Sequence, residues 1–188
     1  MAHDFSNKYT WPDGRYDVLP RVINQFGLTT GVEVGVARAG HSDAILRNTK
    51  VRRLYGVDPY LHHPDYVDVM NLPQEEFDAL HNYVVETMAR DHGDRFKMIR
   101  KTSIEAAFQF APGLTDEILD FVYIDGEHTT AEALIDCAVW YQVLRPGGIL
   151  AGDDYMMSEV AMAVNYFAHR KKGKLHIENN NTVWWFQK

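Results

Sequence analysis

Short apolar runs alternate along this chain with longer segments in which apolar residues recur every three or four positions. The short runs are typical of β-strands and the longer segments of amphipathic helices. Alternation of this kind indicates βαβ units, whose parallel strands form one sheet with helices on both faces. The strands that we predict are 31–34, 54–57, 96–99, 121–124 and 149–152.

Several predicted helices have recognisable ends. The segment 15–26 ends at Gly27, a residue suited to the left-handed backbone of a helix C-cap. Ser42 is expected to cap a helix that begins at Asp43, and Thr129 is expected to cap a later one.

The last two apolar runs, 174–178 and 182–187, flank the turn residues 179–181, so we predict an antiparallel hairpin. Trp184 and Trp185 are neighbours and must point to opposite faces of their strand. Both faces of that strand should therefore be covered, which places it inside the sheet.

The chain has 188 residues, of which 46% are hydrophobic. A chain of this size buries roughly 70% of its unfolded surface in one core. Because no linker or repeat divides the sequence, we expect one domain over 1–188, with an N-terminal helical segment at 1–30 and an α/β core at 31–188.

Nineteen basic residues against 26 acidic ones give a formal charge of −7, which repels a polyanion, so we expect no nucleic-acid partner. The apolar runs are short and the N-terminus lacks the pattern of a secretory signal, so we expect no membrane association. The single cysteine, Cys137, is compatible with a reducing compartment, and we expect a cytoplasmic location.

Acidic residues stand at the ends of four predicted strands. In a parallel α/β sheet these ends meet at one edge, where ligands bind near the change in strand order. Two carboxylates about 4 Å apart repel by roughly 4 kcal/mol at an effective dielectric constant of 20, so we expect a cation among them. The acids are Glu33, Asp58, Asp125, Asp153 and Asp154.

The turn after the first strand matches a loose nucleotide-binding fingerprint through Gly35, Ala37 and Gly40. Asp58 follows at the distance expected of an acid that binds ribose hydroxyls. Ala37, however, adds a methyl group where a dinucleotide fingerprint has its middle glycine, and Glu33 would repel phosphates. The turn therefore favours a ligand that carries an ammonium or sulfonium group.

These segments resemble the class I S-adenosylmethionine-dependent methyltransferases from about residue 31 to the last strand. VEVGVARAGHS is similar to their first motif and GVDPY to their second; FVYIDGEH, LRPGGIL and AGDDY follow in the order of compact O-methyltransferases of the catechol and antibiotic-sugar types. The resemblance implies an α/β, Rossmann-like, doubly wound sheet of seven strands, in the order 3-2-1-4-5-7-6 with strand 7 antiparallel.

The resemblance also implies which residues bind S-adenosylmethionine. The methionine end would lie at the turn after the first strand, the ribose at the acid after the second, and the adenine at the serine after the third. The implied set is Glu33, Gly35, Gly40, Asp58, Ser103 and Asp125.

Asp125, Asp153 and Asp154 are similar to the acids that hold Mg²⁺ in those O-methyltransferases. Three carboxylates suit a hard cation and leave positions for two substrate hydroxyls. Either Glu127 or His128 could take the hydroxyl proton, and we favour His128 because its unperturbed pKa lies near neutrality. The alternatives are that His128 packs against or caps the next helix, and that Asp153 binds loop backbone while Asp154 is only solvated.

The implied reaction is metal-assisted O-methylation of a hydroxylated small molecule such as a sugar or polyol. Two other readings stay open, namely an NAD-dependent oxidoreductase on the same fold and a binding domain without catalysis. A homodimer is compatible with all three readings, because small cores often complete a pocket across a two-fold axis.

Overall fold

A computed structural model describes the chain at Phe5 and over 14–65, 70–115 and 118–188; the rest of the predicted N-terminal segment lies outside the described residues. Seven strands are found there: β1 (Thr30–Val34), β2 (Arg53–Val57), β3 (Phe96–Ile99), β4 (Leu119–Ile124), β5 (Leu144–Gly152), β6 (His176–Glu178) and β7 (Val183–Gln187).

The strands form one sheet in the order β3-β2-β1-β4-β5-β7-β6. The first five lie parallel, whereas β7 runs antiparallel to both β5 and β6. The predicted strand order and the antiparallel last strand are confirmed. Residues 179–181 all have positive φ angles, between 51° and 66°, as the predicted hairpin turn requires.

Within the described ranges, six α-helices connect and cover the strands: α1 (Arg15–Phe26), α2 (Gly40–Asn48), α3 (Gln74–His92), α4 (Ser103–Gln109), α5 (Thr130–Val143) and α6 (Ser158–Lys171). The first three pack on one face of the sheet and the last three on the other, which creates two apolar cores. Trp185 belongs to the first core and Trp184 to the second, so β7 is covered on both faces as predicted.

Two boundaries differ from the prediction. The helix expected from Asp43 begins at Gly40 with Ala39 as its N-cap, and the Ser42 hydroxyl donates to the Glu33 carboxylate instead of capping. Ser42 as a cap was therefore wrong, because a buried acid takes its hydroxyl.

The fifth strand begins at Leu144 rather than at 149, since Leu144 pairs with Leu119 across a register shift. Gly148 allows β5 to lie close to β4, because a Cβ at this residue would lie only 2.8 Å from the carbonyl oxygen of Asp120.

Candidate functional site

The ends of β1, β2 and β4 are joined through one glycine. Gly35 has a φ angle of 84°, and a Cβ at this residue would lie 1.7 Å from the carbonyl oxygen of Asp125. The Gly35 N–H donates to the Val57 carbonyl at 2.9 Å, and the Asp125 N–H donates to the Val34 carbonyl at 2.8 Å. Only glycine fits here, so the turn after β1 lies directly against the end of β4.

Asp58 and Tyr60, which follow β2, hold this turn in place. Asp58 accepts the backbone N–H groups of Val36 at 3.1 Å, Ala37 at 3.0 Å and Tyr60 at 2.8 Å. The Tyr60 hydroxyl donates to the Ala37 carbonyl at 2.7 Å. Burial raises the pKa of Asp58, although the three N–H donors oppose that shift. The structure thus places the Asp58 carboxylate in direct contact with the turn after β1.

Glu33 is 1% exposed and points into the first turn of α2. Its carboxylate lies 3.0 Å from Nδ1 of His41 and accepts the hydroxyl of Ser42. Gly40 opens that helix, and the positive end of a helix dipole favours a nearby negative charge. The predicted cofactor residues Glu33, Gly35 and Gly40 therefore lie together around one turn.

Three further acids meet where β4 and β5 end: Asp125, Asp153 and Asp154. Burial raises the pKa of Asp125 well above its usual range, and Asp153, Asp154 and Glu33 raise it further. Burial likewise raises the pKa of Asp153. Such a concentration of negative charge favours protons or other cations.

Arg15, the first residue of α1, supplies one of these cations. Its Nη1 lies 3.4 Å from Oδ2 of Asp153, and the two side chains are 12% and 4% exposed. The other oxygen of Asp153 accepts the Asp154 N–H at 2.9 Å. A cation near the acids was expected from the sequence, but its source was not identified.

His128 joins the two remaining acids. Its Nε2 lies 2.9 Å from Oδ2 of Asp154, a residue held in the left-handed region at a φ angle of 57°. Asp125, His128 and Asp154, called the Asp-His-Asp group below, each offer a ligand atom, and these atoms all lie within 4.8 Å of one another. Two carboxylates and an imidazole fit a divalent metal ion. Asp153, also predicted as a metal ligand, is paired with Arg15.

A narrow pocket opens beside the Asp-His-Asp group, with Val160 and Trp184 on its apolar side. Glu127, the other candidate base, is exposed and lines the same pocket. The alternative that His128 caps the next helix is wrong, because Thr129 is the N-cap and accepts the Glu132 N–H.

Ser103 lies at the start of α4, after β3, and the contacts recorded for its hydroxyl are with α5. The hydroxyl donates to Asp136 and accepts from Nε1 of Trp140 at 2.8 Å. Burial raises the pKa of Asp136 to about 6, while the Ser103 hydrogen bond opposes the shift. The structure therefore ties the Ser103 hydroxyl to α5, and its predicted place beside the adenine stays a prediction.

Sequence reasoning missed three polar residues of the site. His41 follows the glycine fingerprint and could have been noticed there; Arg15 and Tyr123 carry no local signal. Among the described residues, neither the His41 Nε2 nor the Tyr123 hydroxyl has a hydrogen-bond partner, although both atoms are buried. Unpaired buried polar atoms cost about 1–3 kcal/mol each, so they mark where a polar ligand or water would be stabilised.

No helix in the described part of the chain is long and apolar enough to cross a membrane.

Solved structures share this fold. An O-methyltransferase from Bacillus cereus in complex with S-adenosylhomocysteine has a TM-score of 0.66 at 11% identity, covering 97% of this chain and 84% of that chain. The O-methyltransferase TomG from Streptomyces achromogenes, involved in tomaymycin synthesis and solved with S-adenosylmethionine, has a TM-score of 0.65 at 9% identity, covering 95% of this chain and 82% of that chain. At such low identity the likeness establishes the fold.

A curated relative, an uncharacterized protein of Acanthamoeba polyphaga mimivirus, is 27% identical over 143 residues, which are 74% of this chain. The aligned region spans 58% of the length of that relative. A family model described as a methyltransferase domain matches residues 28–155, from the segment before β1 to the residue after Asp154. Because the matched region contains all the strands that build the site and more than half of the chain, this protein belongs to the methyltransferase-domain family.

Proposed function

We propose that this protein is an S-adenosylmethionine-dependent methyltransferase that O-methylates a hydroxylated small molecule, such as a sugar or polyol, with the help of a divalent cation. The observation that carries the proposal is the convergence of Glu33, Asp58 and Asp125 around a turn that only glycine can make. A negative field at this place suits a sulfonium donor and disfavours a pyrophosphate.

The cofactor would be held by residues from three strand ends. Glu33, Gly35 and Gly40 would lie at its methionine end, with Asp125 on the opposite side of the turn. Asp58 would bind the ribose hydroxyls, since each carboxylate oxygen has two lone pairs and can accept beyond its backbone partners. Ser103 would lie beside the adenine, with its hydroxyl oriented by the contact with Asp136.

Methyl transfer needs the acceptor oxygen in line with the methyl group and the sulfur. Holding the reactants in this geometry supplies roughly 7–11 kcal/mol of the barrier reduction. The acceptor oxygen forms the new bond to the methyl carbon, while the electrons of the old bond stay on sulfur. The hydroxyl proton would pass to His128 or Glu127, which both line the pocket beside Asp125.

A divalent cation, when bound, would lower the pKa of the acceptor hydroxyl and orient its oxygen. Mg²⁺ on Asp125, Asp153 and Asp154 would lie beside the positive charge of Arg15, which already pairs with Asp153. The Asp-His-Asp group would hold a cation with that ion pair intact.

Calorimetry tests the cofactor. We expect S-adenosylhomocysteine to bind and NAD to give no heat of binding; binding of NAD alone would favour an oxidoreductase. A panel of hydroxylated acceptors, assayed for release of S-adenosylhomocysteine with and without divalent ions, tests the reaction. Cofactor binding without turnover across the panel would favour a noncatalytic binding domain.

We further propose one domain over 1–188, a cytoplasmic location and a homodimer. The proposal of a cytoplasmic location rests on cysteine usage, since the chain has one cysteine, which is free and buried. Light scattering on the purified chain would measure the dimer directly.

A further inference from the structure

The three aspartates at the ends of β4 and β5 are not equivalent. Both carboxylate oxygens of Asp153 are engaged, one by the Arg15 guanidinium at 3.4 Å and the other by the Asp154 N–H at 2.9 Å. Separating a buried pair of this kind leaves an uncompensated charge and costs about 3–5 kcal/mol. Asp153 therefore already has its cation.

The Asp-His-Asp group has the spacing of ligands around one ion. Two ligand atoms about 2.1 Å from a metal lie about 3.0 Å apart at right angles and about 4.2 Å apart when opposite. Nε2 of His128 and Oδ2 of Asp154 are 2.9 Å apart, and all three ligand atoms lie within 4.8 Å of one another. An ion would fit with little movement of the backbone.

Tyr123 provides an independent sign that a polar ligand belongs beside these acids. Its side chain is 1% exposed, and its hydroxyl has no hydrogen-bond partner among the residues that the structure describes. The acids whose charges act on this hydroxyl are Asp153, Asp125, Glu33 and Asp154. Water carried by a bound ion would give the hydroxyl a partner.

The imidazole changes which ion is preferred. Mg²⁺ and Mn²⁺ both suit carboxylate oxygen, but Mg²⁺ gives up its waters reluctantly, whereas transition-metal ions also accept imidazole nitrogen. We propose that Asp125, His128 and Asp154 form a site for a transition-metal ion such as Mn²⁺ or Co²⁺, rather than a site for Mg²⁺ on three aspartates. The task of the ion in methyl transfer rests on the proposed function, but its binding does not.

This assignment changes the role of His128. A ring nitrogen that coordinates a metal cannot accept the substrate proton at the same time. Glu127, exposed at the rim of the same pocket, would then take the hydroxyl proton.

The test uses the full chain after treatment with a chelator. We expect added Co²⁺ to produce visible absorption bands of a nitrogen- and oxygen-ligated ion. We also expect bound Mn²⁺, followed by electron paramagnetic resonance, to resist a roughly 100-fold molar excess of Mg²⁺.

Two matched variants separate the ligand sets. His128→Asp makes the group all-carboxylate and should lower the preference for Mn²⁺ over Mg²⁺ by about tenfold or more. Asp153→Asn keeps an oxygen that can accept the Asp154 N–H but removes a neighbouring charge, so it should weaken Mn²⁺ and Mg²⁺ together and leave the preference for Mn²⁺ within about threefold of the wild-type value. Circular dichroism confirms that each variant is folded.

Loss of the preference for Mn²⁺ in Asp153→Asn with an unchanged preference in His128→Asp would overturn the assignment. So would the absence of Co²⁺ and Mn²⁺ binding to the wild-type protein. Calorimetry with S-adenosylhomocysteine on the same samples keeps the two proposals apart, because cofactor binding without metal binding rejects only this one.

Discussion

Strand β4 carries an aspartate near each end, and the two have opposite surroundings. Near its start, Asp120 accepts the N–H groups of Thr29 at 2.6 Å and Thr30 at 2.9 Å, and Nε of Arg145 at 2.7 Å. Burial alone would raise the pKa of Asp120, but the Arg145 guanidinium and the N–H donors outweigh it and the pKa is lowered.

Asp125, just beyond the other end of the strand, is surrounded by acids. Burial raises its pKa, and Asp153, Asp154 and Glu33 add to the shift. The carboxylate near the start of β4, Asp120, is therefore stabilised by its surroundings. The carboxylate just beyond the other end, Asp125, lies in a negative field. The first serves stability, whereas the second is the carboxylate that we propose lies beside a cationic ligand.

The largest expected effect comes from Asp125→Asn, which removes one charge from the crowded end. We expect turnover, measured with a methyl acceptor found in the panel assay, to fall by about 100-fold or more, since the carboxylate would stabilise positive charge near the reacting atoms. The midpoint of thermal unfolding should stay the same or rise, because a buried repulsion is removed. A stable variant with full turnover would take Asp125 out of the mechanism.

Asp120→Asn should have the opposite result. Losing the charge that pairs with Arg145 and accepts two backbone N–H groups should lower the free energy of unfolding by about 2 kcal/mol. Denaturation in urea measures this loss, and affinity for S-adenosylhomocysteine serves as the control. If the free energy of S-adenosylhomocysteine binding fell by the same amount, the two ends of β4 would be energetically coupled.

The same contrast predicts the dependence of stability on pH. A carboxyl whose pKa is raised by folding destabilises the native state when ionised, so stability falls as the pH rises from the unfolded pKa through the folded one. For Asp120 the sign is reversed, and its contribution is present above the unfolded pKa and lost as the pH falls through the folded one.

Acidification from neutrality toward the ordinary pKa of an aspartate, about 4, should therefore stabilise the wild-type protein relative to Asp125→Asn, at about 1.4 kcal/mol per unit of pKa shift. Below about pH 4 the wild-type protein should lose the stability that Asp120 contributes. Urea denaturation of the wild-type protein and both variants across this range gives the two slopes. Parallel curves for wild type and Asp125→Asn would contradict the raised pKa.

The smallest effect is expected for Tyr60→Phe. The ring keeps its packing, but the hydrogen bond from the hydroxyl to the Ala37 carbonyl is lost. We expect the free energy of unfolding to fall by about 1 kcal/mol and affinity for S-adenosylhomocysteine to fall a few-fold, because the turn after β1 loosens. Unchanged affinity would show that Asp58 alone holds the turn.

Local patterns predicted most of the fold. Three predicted features depend only on neighbours in the chain, and all three are confirmed. They are the capping of α5 by Thr129, the turn at 179–181 and the opposed faces of Trp184 and Trp185. The start of β5 was misplaced, because pairing of Leu144 with Leu119 across the sheet overrides the preference of the Pro-Gly-Gly segment for a turn.

The site, like the fold, has features that the sequence predicted and features that depend on the tertiary structure. Parallel strands end at one edge, so the sequence by itself determined that acids after β1, β2, β4 and β5 would gather there. Only the tertiary structure decided how the charges are shared, because Arg15 is 138 residues from Asp153 and His128 reaches Asp154 across two strand ends. Strand periodicity is a property of adjacent residues, whereas the pairing of charges depends on distances that exist only once the helices pack on the sheet.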